Sequence, residues 1–203
     1  MVVAPGASLG LADADWEHVR VGVRPLDGWY LPLSRFTTAG SMWLPWDGSG
    51  GIHYVSNGAG TTPATYDLDV PIGGRYRVSV MGSMTPSFRL VIDGQTLTPP
   101  VTTGMESRDG GQYLDTVELA PGPHRIEVWS PDGLTRPRNI SFVQAVSLER
   151  ETPPEPSPVC INGRRYEAAS GRPVETDADA GSVAVENCGD VPLFVDWVES
   201  LPS

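Results

Sequence analysis

An all-β chain of antiparallel strands is the fold class this sequence predicts, and three observations carry the prediction. In residues 66–94, YDLDVPIGGRYRVSVMGSMTPSFRLVIDG, apolar and polar residues alternate in three successive runs: Tyr66, Leu68 and Val70; Tyr76, Val78 and Val80; Phe88, Leu90 and Ile92. Successive side chains of a strand point to opposite sides, so a period of two marks a strand with one face buried. The breaks between the runs are turn chemistry: Pro71 with Gly73-Gly74, then Asp93-Gly94, a dipeptide that readily takes the positive φ angles of a tight hairpin. Finally, with 23 Gly and 20 Pro in 203 residues and no sustained Ala, Leu, Glu and Lys periodicity, helix should be scarce. The runs are expected to pair locally, strand, turn, strand.

The elements follow in order. Val19, Val21 and Val23 alternate with His18, Arg20, Gly22 and Arg24 up to Pro25, and predict a strand. Trp29, Tyr30 and Leu31 form a short apolar run between Asp27-Gly28 and Pro32. Both read as peripheral strands of one main domain. Residues 41–63 set Trp43, Trp46, His53 and Tyr54 among glycines and prolines, so this stretch must in part be loop. Loops concentrate binding residues on a rigid scaffold. Sugars present C–H patches to flat rings and hydroxyls to amides and carboxylates, so Trp43 and Trp46 beside Asp47 suit a carbohydrate site. The alternative is that both rings plug the end of a sandwich. Residues 96–112 are polar, proline-bearing and aperiodic, a long connection leading to Tyr113. Val117 and Leu119 then lead into Pro121-Gly122-Pro123, after which His124, Ile126 and Val128 share one face and Arg125, Glu127 and Trp129 the other. This reads as a second hairpin, with His124 a structural, hydrogen-bonded histidine.

At this point VPIGGRYRVSV, FRLVIDG, VELAPGPHRIEVWS and NISFVQAVSLE, within residues 64–149, resemble a family: the jelly-roll carbohydrate-binding modules, galactose-binding-like β-sandwiches of the family 6 and 35 type. The resemblance implies an antiparallel β-sandwich and a non-catalytic carbohydrate-binding role, with a polysaccharide or glycan as partner. It also implies a site at one end of the sandwich, where Tyr113, Trp129 or Trp46, and Asn139 would converge. The segment SPDGLTRPR before Asn139 is bulkier and more charged than the short glycine-rich loop of the family pattern. Modules of this kind often hold a structural calcium through scattered loop oxygens, but no ligand set can be named from these residues.

Residues 151–158, ETPPEPSP, read as a proline-rich, acidic, semi-rigid linker. The expected organisation is therefore a jelly-roll sandwich over residues 1–150 with N-terminal peripheral strands, the linker over 151–158, and a small β appendage over 159–203. Asn162-Gly163 is a hairpin signal, and residues 182–185 and 191–198 add short β-like runs. Cys160 and Cys188, the two cysteines of the chain, would close a loop of about thirty residues and stabilise by roughly 3 kcal/mol in the chain-entropy treatment. A disulfide is expected, which implies an oxidising compartment; the alternatives are two separate buried thiols or half of a metal site. The appendage looks too small to carry a core alone, and is expected to pack against the sandwich or against another domain of a parent protein.

The net charge of −11, with fourteen Arg and no Lys, argues against a nucleic-acid surface, because phosphate binding draws on released counterions. All-Arg basicity beside abundant Ala, Gly and Pro resembles GC-rich bacterial coding. Residues 1–16 have neither a basic start nor a sustained apolar core, so they read as neither signal peptide nor membrane anchor. Asp47-Gly48-Ser49-Gly50-Gly51 does not make a nucleophile elbow, no phosphate-binding glycine pattern is completed, and Asp177 with Asp179 lacks the remaining ligands of an EF-hand. The sequence thus predicts a non-enzymatic, extracytoplasmic carbohydrate-binding module of a larger secreted or cell-envelope protein, with Trp43, Trp46, Tyr113, Trp129 and Asn139 as binding candidates. A catalytic or membrane domain of the same protein is the expected neighbour. The rival reading is a structural or docking sandwich of a glycosyltransferase or glycosidase with every ring buried; a free-standing hydrolase would need two carboxylates about 5–10 Å apart in a cleft.

Overall fold

The computed structural model describes residues 1–13, 15–48, 51–56, 60–85, 87–98, 111–131 and 142–201, and only the backbone at 46–48, 51–53, 111 and 142. In chain order these form β1 (Val2–Val3), β2 (Ser8–Ala12), β3 (His18–Pro25), β4 (Gly28–Pro32), one 3-10 turn (Leu33–Arg35), β5 (Trp43–Gly48), β6 (Gly51–Ser56), β7 (Ala64–Val70), β8 (Gly74–Ser83), β9 (Arg89–Ile92), β10 (Gln95–Leu97), β11 (Gly111–Leu119), β12 (Gly122–Trp129), β13 (Phe142–Arg150), β14 (Ser157–Ile161), β15 (Arg164–Ala168), β16 (Val174–Asp177), β17 (Ser182–Glu186) and β18 (Leu193–Ser200). Every pairing between these strands is antiparallel, and no α-helix occurs among the described residues. The chain is all-β, as its alternation predicts.

Two compact units emerge, one of residues 28–152 and one of residues 1–27 with 153–203. In the first, a sheet ordered β10-β9-β12-β7 and a sheet ordered β11-β8-β13-β6-β5, with β4 also on β13, share one core. Tyr66, Leu68, Val70, Leu90, Ile92, Ile126 and Val128 enter it from the first sheet, and Tyr76, Val78, Val80, Val117, Val146 and Leu148 from the second. Two sheets meeting over interdigitated apolar faces make an antiparallel β-sandwich. Its pairings are nested: β9 with β10, β8 with β11, β7 with β12. One long ribbon is thus folded back and rolled around the core, which is jelly-roll connectivity.

That nesting corrects the expected local hairpins. β7 pairs β12 rather than β8, and β11 pairs β8 rather than β12. Both apparent turns, at Pro71 to Gly74 and at Pro121-Gly122, carry the chain from one sheet to the other. They also pack together, since a Cβ on Gly73 would lie 2.8 Å from Cδ of Pro121. Asp93-Gly94 does close a two-residue hairpin, with φ of 49° and 86° and Ile92 opposite Gln95.

Asp93 also receives the backbone N–H of Arg125 at 2.8 Å and pairs with Nδ1 of His124, while Nε2 of His124 meets the Ala120 carbonyl oxygen at 2.7 Å. Burial alone would lower the His124 pKa, but these two acceptors outweigh it and raise the pKa. Burial alone would raise Asp93, but the Arg125 amide and the His124 ring prevail and hold it low. The raised His124 stabilises fully below its ordinary value near about 6.5 and loses that contribution as pH rises through the folded value; the lowered Asp93 stabilises above about 3.9 and loses it as pH falls through the folded value. Both contributions are complete between those limits. The melting temperature of His124→Gln should therefore fall furthest below that of the wild type near pH 5, with a smaller difference above about pH 8. A pH-independent difference in thermal melts would contradict this origin.

In the second unit, β1-β18-β3-β16 and β15-β14-β17-β2 form two four-stranded sheets around a separate core of Val19, Val21, Val23, Val159, Ile161, Val183, Val185, Leu193 and Val195. The expected boundaries at 150 and 159 are corrected accordingly. The N-terminal strands belong to this second unit: β3 runs between β18 and β16, and β2 edges β17. Residues 159–203 do not stand as an appendage without a core, because β2 and β3 provide the apolar residues they lack. Ser157 and Pro158, expected as linker, already belong to β14. The expected disulfide is present between Cys160 on β14 and Cys188, with Cα atoms 5.8 Å apart. Next to it, buried Asn187 donates from Nδ2 to the carbonyl oxygens of Val3 and Val191 and accepts the Gly189 N–H, tying the first strand to the tail.

Candidate functional site

Of the predicted binding residues, the side chains of Trp43, Tyr113 and Trp129 are described, and these three do not share a face. Trp43 opens β5 and is 3% exposed; its indole N–H donates to the Val128 carbonyl oxygen at 2.9 Å, and its ring meets Phe88 edge-on. It spans the space between the two sheets. The expectation that Trp43 stacks on a ligand is corrected: it is a plug, because a large ring with one donor is best satisfied where both can be used inside. Trp46 lies on β5 opposite His53, but its side chain is outside the described residues, as is Asn139.

Trp129 ends β12 with the parity of Glu127. Its Nε1 donates to the Glu127 carboxylate at 2.9 Å, the Arg89 guanidinium lies 4.8 Å from its ring centre, and it is half-buried at the margin of the core. Tyr113 belongs to the other sheet and is 42% exposed. A bulge between Tyr113 and Asp115 re-aims β11. The Arg77 guanidinium sits 5.4 Å from the Tyr113 ring centre; the phenol is within 3.1 Å of the Thr116 hydroxyl, which in turn donates to Glu151 at 3.0 Å. The ring is thereby held in place yet open to solvent. Tyr113 and Trp129 lie on opposite outer sides of the sandwich, so the expected convergence of these two rings does not occur.

What shares a face with Tyr113 was missed by the sequence reading. Across the larger sheet Tyr113 stands opposite Ser79, Ser79 opposite Ser147, and Ser147 opposite Tyr30, one register line over β11, β8, β13 and β4. Tyr30 is 57% exposed. Trp29 and Leu31, its neighbours, turn inward against the core. Among the described residues neither serine hydroxyl has a protein partner, and Arg77 has no ion pair. The next register line on one side holds Pro32, Ala145 and Met81, and on the other Glu149, Arg77 and Thr116. The face thus grades from apolar through hydroxyl to charged. The sequence signal was present in Gly28–Pro32, where Tyr30 alternates with Trp29 and Leu31, but the line depends on pairing that no local pattern encodes.

Among the described residues no group of three or more His, Cys, Asp or Glu side chains gathers to hold a metal ion. No helix among them is long and apolar enough to cross a membrane.

No protein-family model matches the chain, and neither does any curated protein. Among solved structures it is similar to a family 35 carbohydrate-binding module from an environmental isolate, at TM-score 0.43 and 12% identity over 62% of this chain and 97% of that one. It is also similar to a family 35 module from Cellvibrio japonicus, at TM-score 0.35 and 16% identity over 81% and 100%. A further Xyl-CBM35 module, solved with a glucuronic acid containing disaccharide, has TM-score 0.35 and 18% identity over 71% and 94%. At these scores the sandwich is read from the chain's own strand pairing and core.

Proposed function

We propose that the sandwich of residues 28–152 is a non-catalytic carbohydrate-binding module, an extracytoplasmic part of a larger secreted or cell-envelope carbohydrate-active protein. The observation that supports this most directly is Tyr113, an exposed ring immobilised by Arg77 and Thr116 on a rigid sheet beside hydroxyls that lack protein partners. A ring fixed before binding loses little conformational freedom when a ligand stacks on it. Trp46 and Asn139 stay candidates for the same role. The disulfide supports an oxidising compartment.

The structural or docking reading draws support from Trp43, whose burial removes one of the aromatic candidates. A glycan array probed with the intact chain separates the two. Retention of at least one polysaccharide class, weakened in Tyr113→Ala at an unchanged melting temperature, is expected. No retention on any glycan would leave the scaffold reading.

A further inference from the structure

The register line Tyr30, Ser147, Ser79, Tyr113 has the properties of a platform. Two exposed rings mark its ends and two unpartnered hydroxyls its middle. The four strands are three spacings wide, and strands in a sheet lie about 4.8 Å apart, so the rings stand roughly 14 Å from each other. A single sugar ring cannot touch both. A chain of several can, with its ring faces on the tyrosines and its hydroxyls over Ser79 and Ser147.

We infer that the outer face of the β11-β8-β13-β4 sheet binds a neutral polysaccharide that runs across the strands from Tyr30 to Tyr113. This rests on the carbohydrate reading above and adds the location, a second stacking ring and the class of ligand. Neutrality follows from charge: Glu149 stands directly across from Arg77, so the face offers no excess of cations, and the chain as a whole carries −11. A polyanion would be repelled at long range. Arg77 instead serves Tyr113, stacking on its ring.

The two-sided grading of the face suits the same occupant. Pro32 and Met81 on one flank accept C–H surface, while Arg77, Glu149 and Thr116 on the other accept or donate to hydroxyls. Trp129, on the opposite side of the sandwich, has no part in this site.

The test uses the intact chain with a panel of soluble neutral polysaccharides (a mixed-linkage glucan, a galactomannan and an unsubstituted xylan) and their monosaccharides, read by affinity electrophoresis and calorimetry. Stacking on one ring contributes about 1–3 kcal/mol for flat ligands, which converts to roughly 5- to 150-fold in affinity. Tyr30→Ala and Tyr113→Ala should each weaken polymer binding at least about fivefold, the double variant should abolish it, and Trp129→Ala should leave it unchanged. Monosaccharides should bind far more weakly than polymers. Thermal melts should stay within a few degrees for the tyrosine variants, because exposed rings contribute little to the core. Polymer binding that survives the double variant would overturn this inference and leave the carbohydrate reading standing. A monosaccharide that binds as tightly as its polymer would overturn the chain-spanning geometry. A wild type that binds nothing in the panel or on the glycan array would overturn both.

Discussion

Replacing Cys160 and Cys188 together by Ala should lower the stability of the unit formed by residues 1–27 and 153–203 by roughly 3–4 kcal/mol. The two half-cystines are separated by 28 positions, and closing a loop of that size removes about this much entropy from the unfolded chain. For a unit of this size, each kcal/mol shifts the midpoint by about 4–8 °C, so the loss should exceed about 10 °C. The effect should be local. Amide exchange in β14 and β17, the strands next to the bridge, should accelerate, while β8 and β13 of the jelly roll report the reference behaviour. Thiol titration of the unreduced wild type under denaturing conditions should find no reactive cysteine. Unchanged protection in β14 and β17 would mean that the cores of the two sheets, and not the bridge, hold the tail to the N-terminal strands.

The second unit also shows what sequence could and could not disclose. The alternation of Val19, Val21 and Val23 correctly announced a strand with one buried face, and the pairing of the two cysteines was legible from their isolation. That β3 would lie between β18 and β16, across more than 150 positions of chain, was not, because alternation specifies which side of a strand is apolar and says nothing of its partner. The same limit produced the two false hairpins. β7 and β8 meet at proline and glycine as a hairpin would, but their apolar faces look at each other from opposite sheets, a relation with an identical local pattern. Asp93-Gly94 and Asn162-Gly163 were legible as hairpins because the φ angles they adopt, 49° and 86°, 48° and 75°, belong to those residue types themselves.

In the site the division runs the same way. Tyr113 was recognisable as a ring at the head of a strand, but its exposure depends on a bulge and on Arg77 one strand away. Tyr30 looked like part of an apolar run and became a surface residue only through its register with Ser147. Trp43 and Trp46 read alike on the page, two tryptophans among breakers, and only packing decides that the first is enclosed.

That enclosure yields the last prediction: Trp43→Ala should cost the jelly roll about 3–5 kcal/mol, the range for removing a large aromatic from a core. The ring is 3% exposed, contacts Phe88 edge-on and donates to the Val128 carbonyl oxygen, so the substitution opens a cavity and withdraws a buried donor at once. The strand entrance is otherwise firmly set: Ser41 accepts the N–H groups of Thr61 and Thr62 on its hydroxyl, and any Cβ on Gly60 would run into the Ser41 carbonyl oxygen. The backbone therefore has little room to collapse into the gap, which places the cost toward the upper end. Trp43→Phe separates the two contributions, since it retains most of the apolar volume and gives up the hydrogen bond; a loss of about 1–2 kcal/mol is expected. Denaturant titration of the three proteins measures both. If Trp43→Ala lost less than about 1 kcal/mol, the ring would not be the plug that its burial indicates. If folded Trp43→Phe lost glycan binding that the wild type possesses, Trp43 would have to reach the ligand, and the outer face of the larger sheet could not be the whole of the site.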